Sequence, residues 1–116
     1  MRAFIFSSII IFIMISIIIL NGIFLCKTID KLNNEIDYIL EGKGLDDFNK
    51  IWDKSLFFIS ISTPHREIGK IKEQLVVLEE GIKLENQLVI VESCNLIRLY
   101  LSEIKDHEKL AMDNII

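Results

Sequence analysis

Two histidines, His65 and His107, are the side chains of this 116-residue chain best suited to acid–base or metal chemistry. His65 follows Thr63-Pro64 and stands beside Arg66 and Glu67, in what reads as the first turn of a helix. Metal binding or proton transfer there requires converging partners, and none stands at ligand spacing. His107 follows Glu103 by four residues, so the two share a helix face. Two groups fall short of a metal site, and a solvated pair is the preferred reading. Asp46-Asp47, and Glu79-Glu80 with Glu85, supply neighbouring carboxylates, the raw material of glycoside hydrolysis or calcium binding. No loop alternating oxygen ligands around a glycine accompanies them, so they read as solvated helix ends. Glycine-rich phosphate loops, a nucleophile elbow and a Cys–His pair at workable spacing are all missing from the sequence. The expectation is a protein that is not an enzyme, with no catalytic residue, cofactor or metal ligand.

Trp52, Phe57 and Phe58 form the aromatic concentration of the chain. They are the candidate partner or ligand surface, as an interface hot spot or a pocket wall. Packing in the core is the preferred reading, because they fall within one helical stripe and its flanks. Cys26 and Cys94 lie 68 residues apart in different contexts and read as free thiols packed like small apolar groups.

The elements that must position these residues divide sharply. Between Arg2 and Lys27 lie 24 consecutive uncharged residues, 19 of them apolar. As a helix this run is about 36 Å long, against about 30 Å of bilayer hydrocarbon. Its Ile, Leu and Phe residues outweigh Ser7, Ser8, Ser16, Asn21 and Gly22 in transfer energy. A cleaved signal peptide is the first competitor, but signal cores are shorter and end in small residues. A lipidated Cys26 is the second, and bulky Phe24 and Leu25 precede that cysteine. The division expected is a transmembrane anchor at 3–26 and an acidic helical domain at 27–116. Positive charge is almost balanced across the anchor, with Arg2 and the terminal amine against Lys27 and Lys31. A two-residue tail is easily retained inside, so a single-pass topology at the cell membrane with the domain extracytoplasmic is the default.

The distal part carries 17 acidic and 12 basic residues, a net charge of −5. That balance argues against nucleic acid, whose phosphates call for a basic footprint. Its apolar spacing is helical throughout. Ile29, Leu32, Ile36 and Ile39 step by 3, 4 and 3, with no breaker between this stripe and the anchor. One helix therefore runs on to about Leu40, where Gly42 offers a left-handed cap. A second helix starts near Leu45, although Phe57 to Ser62 alternates as a strand would. Thr63 as cap and Pro64 at the first helical position open a third, striped by Ile68, Ile71, Leu75, Leu78 and Ile82. A fourth starts near Leu84 with two adjacent stripes, Ile90, Cys94, Ile97, Leu101 and Ile104 beside Val89, Leu96 and Tyr100. Such a wide apolar surface predicts a central helix touched from two sides. Residues 106–116 form a short terminal helix or a packed arm, and the apolar Ile115-Ile116 end suggests that the tail is tied down. The fold expected is all-α, a transmembrane helix followed by a bundle of about four helices in two hairpins.

The layout resembles a known family. An Ile-rich anchor leads to a helix with Trp52 that runs into Phe57-Phe58-Ile59, then a turn at His65-Arg66-Glu67-Ile68, then a long helical pair ending in Asp113-Asn114-Ile115-Ile116. This is similar to the family designated domain of unknown function 4363. The resemblance spans nearly the whole chain. It implies a small protein of a Gram-positive bacterium with an uncleaved anchor and a helical domain, but no catalytic residues. The functional expectation is a non-catalytic interaction or structural module at the cell envelope, with the lipid bilayer and another membrane or envelope protein as partners. The alternative is a membrane-tethered sensor of a small ligand with an aromatic pocket.

Overall fold

The computed structural model describes residues 1–115 and places four α-helices among them: α1 (Arg2–Leu40), α2 (Asp46–Ser62), α3 (His65–Lys83) and α4 (Gln87–Ile115). The described residues include no strand. α1 and α2 form one antiparallel hairpin and α3 and α4 the other, joined by packing of α4 on α1. The molecule measures 67 × 21 × 21 Å, because the 39-residue α1 runs nearly its full length.

α1 changes character along its axis without a break. Its first 14 residues, Arg2–Ile15, are exposed, and the first buried residue is Gly22. From there Leu25, Ile29, Leu32, Ile36 and Ile39 are buried at steps of 4, 3, 4 and 3, the spacing of a bundle seam. An 18-residue window of the apolar half has a mean hydropathy of 3.0 and no buried residue. α1 is long and apolar enough to cross a membrane. At Gly42 the chain turns with φ +110°, as the sequence predicts. Lys43 N–H donates to Tyr38 C=O (2.9 Å) and Gly42 N–H to Ile39 C=O (3.0 Å), which satisfies carbonyls the helix end would leave open.

α2 returns along α1 and buries Phe48, Trp52, Ser55 and Ile59. The alternation after Phe57 is helical, and Phe57 and Ile61 face outward while Ile59 fills the core. Helix three opens differently from expectation. Pro64 is the cap residue itself, with ψ 143°, and the first helical residue is His65. Thr63 is extended and buried and ends α2, so its hydroxyl caps nothing. α3 ends in a second left-handed turn, here at Glu85 with φ 52°. Asn86 N–H donates to Gly81 C=O (2.9 Å), and the Asn86 side chain accepts from Val89 N–H (3.4 Å) as α4 begins. That turn delays α4 to Gln87, three residues after the start expected at Leu84.

α4 is the central helix, packed on both α3 and α1. Ile90, Cys94, Ile97, Leu101 and Ile104 are buried, whereas Leu96 of the second stripe is exposed. Ser93 takes the buried flank instead, its hydroxyl donating to Val89 C=O at 2.7 Å. α4 continues unbroken through 106–115, so no separate terminal helix forms. Ile116 and the Ile115 side chain lie outside the described residues. The Lys105–Asp30 pair (2.7 Å) and the Arg98–Asp37 pair cross-link α4 to α1, and the matched seven-residue spacing marks an antiparallel register. Both pairs are partly exposed and contribute at most about 1 kcal/mol each, so they fix register more than stability.

Candidate functional site

The topology gathers the end of α2, the start of α3 and the end of α4 around the point where α1 leaves the bundle. Two cavities occur there. A cleft of about 280 Å³ is lined by Thr63, Pro64, Glu67, Glu103, Ile104 and His107. The Glu103–His107 face read from the sequence thus meets Glu67 across the α3–α4 seam. Glu67 pairs with Lys70 (3.3 Å) through one oxygen, while its Oε2 is buried with no hydrogen-bond partner. No cluster of three metal-ligating side chains occurs among the described residues. His65 lines a separate depression with Asp53, Phe57 and Lys72 and does not meet His107.

The second cavity is a groove of about 500 Å³ between the last turns of the apolar half of α1 and the end of α2. Ile17, Ile18, Leu20 and Phe24 form one wall, and Phe58 and Ile61 the other. The Phe24 and Phe58 rings meet edge to face at 5.1 Å, and Phe57 meets Phe58 edge to face at 5.5 Å. Asn21, Ser62 and Glu108 are its polar lining residues. The Ser62 hydroxyl is buried without a partner.

Glu108 is the residue that sequence reasoning missed. It is only 4% exposed, and no hydrogen bond or ion pair engages its carboxylate among the described residues. It extends the buried stripe of α4 by one more step of four after Ile104, a position where an aliphatic side chain would be expected. Opposite it stands Gly22, where an added Cβ would lie 3.4 Å from Glu108 Oε2 and 2.7 Å from Met112 Sδ. The missing side chain at Gly22 therefore makes room for the end of α4 against α1. The signal was legible in principle, since the 4-3-4-3 register carried past Ile104 lands on Glu108. It was hidden by reading the segment after Asp106 as a separate element.

The aromatic candidates separate. Trp52 is 3% exposed and belongs to the core, whereas Phe57 and Phe58 are 69% and 42% exposed on the flank of the groove. The structure does not bring the three onto one surface. Cys94 is fully buried, and burial pushes its thiol up to about 11, against the opposing pull of Arg98. A thiol so placed is a packing group and a poor nucleophile. Cys26 and Cys94 are both free.

The domain-of-unknown-function family DUF4363 matches residues 24–115, nearly all of the bundle. The chain belongs to this family. The DUF4363 match begins two residues after α1 enters the bundle at Gly22, so it covers the packed domain and leaves out the apolar half of α1. No curated protein and no solved structure matched the chain.

Proposed function

We propose that this DUF4363 protein is a membrane-anchored, non-catalytic interaction module that holds its helical bundle against the outer surface of the cell membrane. The carrying observation is the continuity of α1, whose apolar half has no buried residue ahead of Gly22 and whose second half is the spine of the core. A soluble protein's apolar core helix is covered, whereas none of this window is. Residues 3–21, ahead of the first buried position, form a helix of roughly 28 Å, close to the ~30 Å of bilayer hydrocarbon. No flexible linker separates anchor from bundle, so the bundle is held rigidly at the lipid surface. The bundle's acidic balance favours a partner other than nucleic acid.

The partner surface is the far tip. Leu84 and Leu88 flank the α3–α4 turn and are 73% and 67% exposed, and Val76 on α3 is 62% exposed. The α3–α4 turn points away from the anchor, so lipid does not cover these side chains. Exposed apolar groups grouped on a small domain mark protein contact sites. The expected companion is a membrane or envelope protein within reach of the anchored tip. The test is cross-linking of the full-length chain in intact cells, followed by purification in mild detergent. A companion retained by the wild type and lost by Leu84→Asp and Leu88→Asp variants of unchanged melting temperature supports the proposal. A wild type with neither companion nor self-association overturns it.

A further inference from the structure

We infer that the groove beside α1 binds one phospholipid of the adjoining leaflet, with an acyl chain against Ile17, Ile18, Leu20 and Ile61 and a head-group ammonium on the Glu108 carboxylate. This rests on the membrane-anchored reading and adds a specific site to it. Three observations converge on a lipid. One wall of the groove is the anchor itself, with Ile17, Ile18 and Leu20 60%, 45% and 65% exposed, so the groove opens directly onto the acyl layer. Asn21, Ser62 and Glu108 lie at one level of the groove, on the membrane side of the Phe24–Phe58 contact, and Ile17, Ile18 and Leu20 continue the apolar wall below them toward the acyl layer. A polar band with an apolar wall on its membrane side matches an amphiphile lying along α1 with its head at that band. The roughly 28 Å reach of residues 3–21 also sets Glu108, opposite Gly22, at the level of the lipid head groups.

The carboxylate selects the head group. Glu108 has no protein partner among the described residues and neither of its oxygens is fully enclosed, so its carboxylate is open to a donor that enters the groove. The Ser62 hydroxyl, also without a partner, adds a second polar group at the same level. An ammonium with N–H donors makes a charge-assisted bond to Glu108, which a trimethylammonium cannot. Anionic head groups without an amine are disfavoured by the same carboxylate. Phosphatidylethanolamine chemistry fits, and phosphatidylcholine with the same acyl chains is the matched control.

Native mass spectrometry of the full-length chain in detergent, with each lipid added at equal concentration, tests the site. One retained phosphatidylethanolamine per chain is expected, favoured about tenfold over phosphatidylcholine, as one charge-assisted hydrogen bond would give. Glu108→Gln should bring the two lipids to within about twofold of each other, and Ile61→Ser should weaken both. Circular dichroism melting confirms that each variant is folded, and Ile61 is exposed enough to change without disturbing the core. No retained lipid, or a preference indifferent to Glu108→Gln, overturns the inference. So does a dimer that Ile61→Ser dissociates, which would assign the groove to a second copy. A chain released from membranes by alkaline extraction defeats the anchored reading itself, whereas an anchored chain without lipid defeats only this site.

Discussion

Cys94 shows how a single side chain reports on the packing around it. Its thiol is buried between helices and held neutral to about pH 11, against an ordinary value of 9.0. In the native protein at pH 8 it should resist alkylation that proceeds rapidly once denaturant is added, as intact mass would reveal. The same shift has a sign in stability. Between pH 9 and 11 the unfolded thiol ionises while the folded one does not, so the folded state loses stability as pH rises through that window. The full loss is of the order of 2 kcal/mol by pH 11. Cys94→Ala, compared with wild type across that window, should show a flatter fall in melting temperature. An equal fall in both would mean that the site is wetter than the structure has it. Glu108 is the opposite kind of residue, a charged group in a core position, and only its register against Ile104 distinguishes it from the solvated acids around it.

At the scale of the element, glycine and turn chemistry make separable predictions. Gly69 in α3 has nothing within 4 Å of an added Cβ, so Gly69→Ala should stabilise by about 0.5–1 kcal/mol through helix propensity alone. Gly81, one turn from the end of the same helix, meets Val89 Cγ1 at 2.9 Å and Val89 Cβ at 3.3 Å. Valine is stiff at χ1 and anchored to the next helix, so Gly81→Ala should cost more than it gains, by roughly 1 kcal/mol. Glu85 holds φ 52°, a conformation that costs an ordinary residue about 1–2 kcal/mol. Glu85→Gly should therefore raise the melting temperature, and thermal denaturation of the three variants checks all of these signs. The helices themselves were legible because the apolar spacing of 3 and 4 is strict and Gly42 stands where a cap is needed. Their ends were less so. Pro64 satisfies either of two cap registers, and the left-handed turn at Glu85-Asn86 carries no glycine to announce it. The aromatic residues separate for a related reason, since Trp52 and Phe57–Phe58 are close in sequence yet 100° per residue turns them to different faces.

For the whole molecule, the proposed anchoring divides one helix between two solvents. Gly22 marks the boundary, since burial starts there and the DUF4363 match follows two residues later. A chain shortened to begin at Gly22 should stay in solution without detergent and melt cooperatively. One beginning at Asn33 loses the buried Leu25, Ile29 and Leu32, each worth about 2–5 kcal/mol when truncated, against a total of about 5–15. That shorter chain should show no cooperative transition by circular dichroism. The apolar character of the first half of α1 and its continuity with the stripe of Ile29 to Ile39 were plain from the sequence, but the packing of α4 on α1 through Gly22, Asp30 and Asp37 was not. The most direct test of the account is alkaline carbonate extraction of membranes from cells expressing the full-length chain, with intact mass read on both fractions. The account predicts a chain that stays in the pellet with residues 1–21 still attached. A chain of undiminished mass in the supernatant would contradict it.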